Sequence, residues 1–191
     1  MKESKAKNIL IPTLALFLIC LIATVLLALT NQVTAETIEQ NAAETANAAR
    51  SEVLEAASFS EEATEESTGL TYCVGQNEAG ETVGYVFSAA AKGYGGDVKV
   101  MVGYDLSGTI TGFTILDCSN ETPGLGQNSK KPEFMNRFPG KSGELTVDKY
   151  SNDGQNVQAI TAATITSKAV VKAVNTATEA FRNLTGGASN G

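Results

Sequence analysis

The sequence predicts an α+β protein: an N-terminal transmembrane helix and helical stalk, then a domain with a mainly antiparallel sheet and flanking helices. Three patterns carry that reading. Residues 9–30 form a run of 22 residues without a charge. Val83, Tyr85, Phe87 and Ala89 alternate with Thr82, Gly84, Val86 and Ser88, and Val98, Val100, Val102 and Tyr104 alternate again, the period of half-buried strands. Val170, Val174, Ala177, Phe181 and Leu184 recur at helical spacing, one apolar stripe of a terminal helix.

Taken in order, residues 1–8 carry Lys2, Lys5 and Lys7 against Glu3, a net +2. At about 1.5 Å per residue, residues 9–30 are long enough to cross a hydrocarbon core of about 30 Å. Pro12 is expected in the first turn, where its missing N–H costs little. Residues 31–70 hold nine glutamates against Arg50, a net −8. Positive charge before the span then places the N-terminus in the cytoplasm and the bulk of the chain outside, as a single-pass protein of the cell membrane. Val33-Thr34-Ala35 also fits a signal-peptide cleavage site, but such peptides have apolar regions of about 7–15 residues, so a retained anchor is preferred.

Residues 31–68 read as a helical stalk and acidic linker. Ile38, Ala42, Ala49, Val53 and Ala56 follow helical spacing, and the helix is either a solvated stalk or docked on a partner. A domain is expected over residues 69–187. Lys92-Gly93-Tyr94-Gly95-Gly96-Asp97 is a turn by composition, and Asp105-Leu106-Ser107-Gly108 closes a hairpin onto residues 109–116. Residues 119–143 contain three of the four prolines and read as a long ordered loop, a feature that is usually functional. Residues 145–147 suit another strand. Thr166 or Ser167 is expected to cap the last helix and Gly186-Gly187 to end it. Residues 188–191 are expected to be a disordered tail.

Composition excludes several chemistries. There is no histidine, so no Ser-His-Asp triad and no His-ligated metal can be built. Cys20, Cys73 and Cys118 lie far apart and cannot supply the four ligands of an ordinary iron–sulfur cluster from one chain. No metal site and no catalytic side chain is expected. Residues 71–191 are nearly neutral, at −1, so no basic face for nucleic acid stands out. Redox chemistry here must come from an organic cofactor. Cys73 and Cys118 are candidates for a bridge in an oxidising compartment.

Two motifs carry the functional signal. Thr161-Ala162-Ala163-Thr164-Ile165-Thr166-Ser167 lies at the mouth of the last helix, where free N–H groups, the helix dipole and small residues suit a phosphate. An ordinary capping sequence has the same composition. Glu121-Thr122-Pro123-Gly124-Leu125-Gly126 forces a tight turn with Leu125 at its tip, useful where something flat packs on it. A plain surface turn reads the same way.

Together, with the single span, the stalk, Gly84-Tyr85-Val86-Phe87 and Lys92-Gly93-Tyr94-Gly95-Gly96, these motifs make the chain resemble the G subunit of the Rnf electron-transport complex. The wider family is the domain that carries covalent FMN, shared with the C subunit of the sodium-pumping quinone reductase. The family's attachment motif reads roughly D-x-x-[ST]-[GA]-A-[ST], with FMN joined as a phosphoester to the last hydroxyl, which falls on Thr164. The motif's Asp falls at Gln158, with Asp153 nearby, and its usual Gly at Ala162. Where relatives often carry His before the loop, this chain has Cys118-Ser119-Asn120.

The resemblance implies an electron-carrying subunit of an ion-translocating ferredoxin:NAD oxidoreductase, a redox subunit rather than a stand-alone enzyme. Its implied partners are the other Rnf subunits, a flavin transferase for maturation and the lipid bilayer. The implied cofactor contacts are Glu121, Thr122, Gly124, Leu125 and Gly126 from the loop, with Thr161, Ala162, Ala163, Ile165 and Thr166 around Thr164. Lys130 and Lys131 are either counter-charges for reduced flavin or a solvated pair. An anchored adaptor with no flavin is the contrasting reading, and colour separates the two.

Overall fold

The computed structural model describes residues 2–186, with side-chain surroundings at residues 10–35 and 46–186. The charges expected at residues 1–8, the stalk positions Ile38 and Ala42, Gly187 and the tail 188–191 lie outside that description. The chain divides into two compact units, Met1–Glu44 and Thr45–Gly191.

The first unit is helical. Helix α1 (Lys2–Val53) contains a stretch, Leu10–Ala35, long and apolar enough to cross a membrane. It runs 26 residues and reaches past the expected end at residue 30. Pro12 is inside the helix rather than in its first turn. Its ring lacks the N–H that would reach back four residues, a loss that membrane helices tolerate. Thr24, Thr30 and Thr34 donate to the carbonyls of Cys20, Leu26 and Thr30 at 2.8–2.9 Å, so their hydroxyls present no unmet donor along the apolar stretch.

The second unit begins well before residue 69. Strand β1 (Ser58–Phe59) and strand β2 (Ala63–Thr64) both pair with β3 (Thr71–Gln76). The acidic segment is therefore part of the sheet rather than a linker. Glu65 holds the turn that follows β2: its carboxylate accepts from the N–H and O–H groups of Ser67 and Thr68. The Thr68 hydroxyl above all, helped by the Ser67 N–H, lowers the Glu65 pKa to about 2.

The sheet continues through β4 (Thr82–Lys92), β5 (Asp97–Asp105) and β6 (Ile110–Asp117), in the order β1-β3-β4-β5-β6, all antiparallel. Both expected turns are present, with Gly93 N–H bonding Gly96 O at 2.7 Å and Gly108 N–H bonding Asp105 O at 3.1 Å. One face carries the main core. Phe87, Val98, Val100, Val102 and Tyr104 meet Val170, Val174, Ala177 and Phe181 of α2, the terminal helix Thr164–Leu184. Tyr104 Oη lies 2.9 Å from Thr178 Oγ1, so this buried hydroxyl is satisfied inside the core.

The other face is covered by the end of α1. Ala49, Val53 and Leu54 bury against Val86 and Met101. This stalk end is neither solvated nor reserved for a partner. Gly103 and Gly112, paired across β5 and β6, leave room for it: a Cβ on either would overlap the Val53 backbone. Thr111 Oγ1 donates to Val53 O at 2.6 Å and satisfies one of the helix's last carbonyls. Arg50 adds an ion pair with Glu62.

Cys73 and Cys118 are both buried and free. β4 and β5 separate their strands, about 14 Å at ~4.8 Å per strand, beyond the reach of a disulfide. Cys73 pairs opposite Val86, on the α1 face, whereas Cys118 belongs to the main core.

The long loop is ordered and contains a 3-10 turn, Gly126–Lys130, and a single helical turn, Pro132–Met135. Phe134 and Phe138 anchor it, with the Phe138 and Phe113 rings stacked at 4.1 Å. Strand β7 (Thr146–Asp148) pairs with β8 (Asn156–Gln158) in parallel, a two-stranded ribbon added to the expected antiparallel design. The Asn175 side chain bonds both the N–H and the carbonyl of Leu145 at 2.8 Å, tying this ribbon to α2. β8 then delivers the chain to the start of α2.

Candidate functional site

A cleft of about 510 Å³ opens where three segments converge: the β4–β5 turn, the loop from residue 121 and the start of α2. Its lining contains Glu121, Thr122, Leu125, Gly126, Ala162, Ala163, Thr164, Ile165 and Thr166. The two sequence motifs, about 40 residues apart, thus form one site. Of the expected contacts, Gly124 and Thr161 are not in this lining. Gly124 shapes the turn with a positive φ and offers its carbonyl to Asn128 Nδ2 at 2.5 Å. Thr161 lines a neighbouring cleft with Lys131, Glu133, Arg137 and Gln158.

The helix start has an unusual turn. Ala162 has φ of 60°, the only non-glycine among the described residues in the left-handed region. Ala163 follows as the N-cap, with no side-chain cap. The expectation that Thr166 or Ser167 caps the helix is not met, because both hydroxyls are committed elsewhere. Ser167 Oγ donates to Ala163 O and accepts the Ile160 N–H, at 3.0 and 2.9 Å, which locks the turn before the helix. Thr166 is buried and donates to Glu121. The first intrahelical bond runs from Ser167 N–H to Ala163 O, so the N–H groups of Thr164, Ile165 and Thr166 have no partner within the helix. Thr164 itself is exposed.

Glu121 joins the three walls. It is 2 % exposed; one carboxylate oxygen accepts the Gly95 N–H at 2.9 Å and the other accepts the Thr166 hydroxyl. Burial alone would raise its pKa, but hydrogen bonds from Thr166 and from the N–H groups of Gly95, Gly96 and Tyr94 hold it below the ordinary carboxylate value. Gly126 is small for the same reason: a Cβ there would press on Glu121 and Thr166.

The rim of the cleft is apolar and open. Tyr94, Leu125 and Ile165 are 70 %, 39 % and 55 % exposed, three of the few large apolar side chains exposed beyond the membrane stretch. Tyr94 was not among the expected contacts. Its signal was an aromatic set among Gly93, Gly95 and Gly96, a composition that reads first as a turn. Lys130 and Lys131 do not line this cleft. Asp153 lines neither cleft and is held within its own loop, where Ser151 Oγ donates to it at 3.3 Å.

The arrangement fits a flat aromatic ligand bearing a phosphate. Apolar side chains line an opening of suitable volume, free N–H groups stand at one end, and an exposed hydroxyl lies beside them.

Comparison with known proteins agrees. Residues 93–179 match the FMN-binding domain family, and residues 1–53 match the RnfG N-terminal region. The G subunit of the Na(+)-translocating ferredoxin:NAD(+) oxidoreductase complex of Acetobacterium woodii is 41 % identical over 189 residues, covering 90 % of each chain. The G subunit of the ion-translocating oxidoreductase complex of Methanosarcina acetivorans is 35 % identical, covering 92 % of this chain and 96 % of that one. Among solved structures, Shewanella oneidensis NqrC shares the fold at a TM-score of 0.53 and 18 % identity, over 72 % of this chain and 73 % of that one. The C subunit of the Na(+)-translocating NADH-quinone reductase of Parabacteroides distasonis gives 0.51 at 26 % identity, over 64 % of each. With an RnfG N-terminal region, an FMN-binding domain and likeness to these subunits over 90 % or more of each chain, the chain belongs to the G-subunit family of ion-translocating oxidoreductase complexes.

Proposed function

We propose that this chain is the flavin-carrying electron relay of a membrane-bound, ion-translocating ferredoxin:NAD oxidoreductase, with FMN joined to Thr164 by a phosphoester bond. It works with the other subunits of that complex, sits in the bilayer through α1, and is loaded by a flavin transferase. The observation that carries the assignment is the contrast among three neighbouring hydroxyls. Thr164 is exposed within the cleft, Thr166 is buried against Glu121, and Thr161 lies outside the cleft.

The flavin supplies the one- and two-electron chemistry that no side chain here offers. The protein's part is to hold it. The N–H groups of Thr164, Ile165 and Thr166, with the dipole of α2, favour the negative charge left on a phosphodiester. Ala162 and Ala163 keep the floor beside Thr164 open. Tyr94, Leu125 and Ile165 offer apolar surface to a ring, and the bond keeps the cofactor from escaping into a compartment where free FMN is scarce.

Co-expression with a flavin transferase tests this. Wild type should show in-gel flavin fluorescence after denaturation and one added FMN by intact mass. Thr164→Val, which loses only the hydroxyl, should lose both signals, and Thr166→Val should keep them. Fluorescence persisting in Thr164→Val would falsify the site, and a dark wild type would oppose covalent attachment altogether.

A further inference from the structure

Glu121 is a buried carboxylate in the wall of the cleft, and among the described residues no cation pairs with it. The one ion pair among those residues is Arg50–Glu62, at the other face of the sheet. The partners of Glu121 are dipoles: the Gly95 N–H at 2.9 Å, the Thr166 hydroxyl, and the adjacent N–H groups of Gly96 and Tyr94. Both oxygens accept, so the ionised form is the one this geometry holds. A buried charge without a counter-ion is expensive, and a glutamine of the same shape would tie the three walls together without it. Its Oε1 would accept the Gly95 N–H while its Nε2 donated to Thr166 Oγ1, whose hydroxyl can turn from donor to acceptor. Holding the walls in place therefore explains the shape of the residue but not its charge.

We propose that Glu121 is a positioning residue that also sets the redox poise of the site: its fixed negative charge disfavours reduction of a flavin held in the cleft and keeps the midpoint potential low. This rests on the reading of the cleft as the FMN site. Electrons delivered by an upstream carrier outnumber the protons taken up near neutral pH, so reduction adds negative charge to the ring. A like charge in the adjacent wall raises the energy of that state more than that of the oxidised one. The surrounding N–H groups stabilise the carboxylate but cannot cancel its net charge.

Spectroelectrochemical titration of the full-length, flavin-loaded chain in detergent tests the proposal. Glu121→Gln should shift the midpoint potential to more positive values. Thr166→Val keeps the charge and removes one of the dipoles that screen it, so its potential should move the opposite way. An unchanged or more negative potential in Glu121→Gln overturns the proposal, as does a positive shift in Thr166→Val equal to that of Glu121→Gln, which would mark loosening rather than charge. Glu121→Gln that folds by its thermal melt but takes up no flavin also overturns it, because the carboxylate would then be a binding requirement. If Glu121→Gln does not fold, the sign in Thr166→Val decides: more negative supports, unchanged or positive overturns. A wild type that binds added FMN without a covalent bond changes the attachment reading alone, and the same titration then runs on reconstituted chains.

Discussion

At the residue scale, the site is built on a left-handed turn occupied by the wrong residue for it. Ala162 has φ of 60°, where an L-residue costs roughly 1–2 kcal/mol and glycine costs nothing. The family's usual glycine has a physical reason here that the sequence alone read only as smallness. Ala162→Gly should stabilise the domain by about 1 kcal/mol, since the relieved strain exceeds the roughly 0.4–1 kcal/mol of added chain entropy in the unfolded state. Covalent flavin should be kept. A thermal melt showing no gain would mean that the turn is not strained. The helix start near Thr164 and the tight turn through Leu125 were legible because hydroxyls, glycines and a helix start are local patterns. Two features were not. The bond from Thr166 to Glu121 joins residues 45 apart, and nothing in either neighbourhood points to the other. Tyr94 was hidden because a glycine-rich turn explains its neighbours without assigning the ring a task.

At the element scale, the strands with clear alternation and the striped terminal helix were legible, and the short elements were not. β1 and β2 have two residues each, too few to show a period, and β7 and β8 pair in parallel over three. Nor did the acidic composition of residues 61–66 reveal that Glu65 orders the turn after them, because its partners, the hydroxyls and N–H groups of Ser67 and Thr68, have the composition of any polar linker. The glycines of the sheet give the same lesson. Gly103 and Gly112 look like weak points in strands, yet they form the seat for the last turn of α1. Gly112→Val should therefore destabilise the full-length chain by about 3 kcal/mol, at the upper end for overpacking, and expose residues 54–57 to proteolysis. Thr111→Val, which removes one hydrogen bond to Val53 O and keeps the fit, should cost about 1 kcal/mol. Equal melts for Gly112→Val and wild type would mean that the end of α1 is not seated there.

At the scale of the whole molecule, what matters most is the side of the membrane that the flavin domain occupies. The basic residues Lys2, Lys5 and Lys7 precede the apolar stretch, and nine glutamates with one arginine follow it within residues 31–70. That asymmetry favours retention of the N-terminus in the cytoplasm. The proposed covalent attachment would agree with it, because a bond to Thr164 would matter most where a dissociated flavin is not replaced. The exposed lysines of the domain, Lys92 and Lys149 among them, supply trypsin sites for a direct test. Trypsin added to intact cells, or to spheroplasts where an outer membrane exists, should cut beyond residue 35 and spare a tag on the N-terminus. Inverted vesicles should give the reverse. Protection of the domain in cells, together with its digestion in inverted vesicles, would place the flavin in the cytoplasm and overturn the orientation, while leaving the cleft and its chemistry as they are.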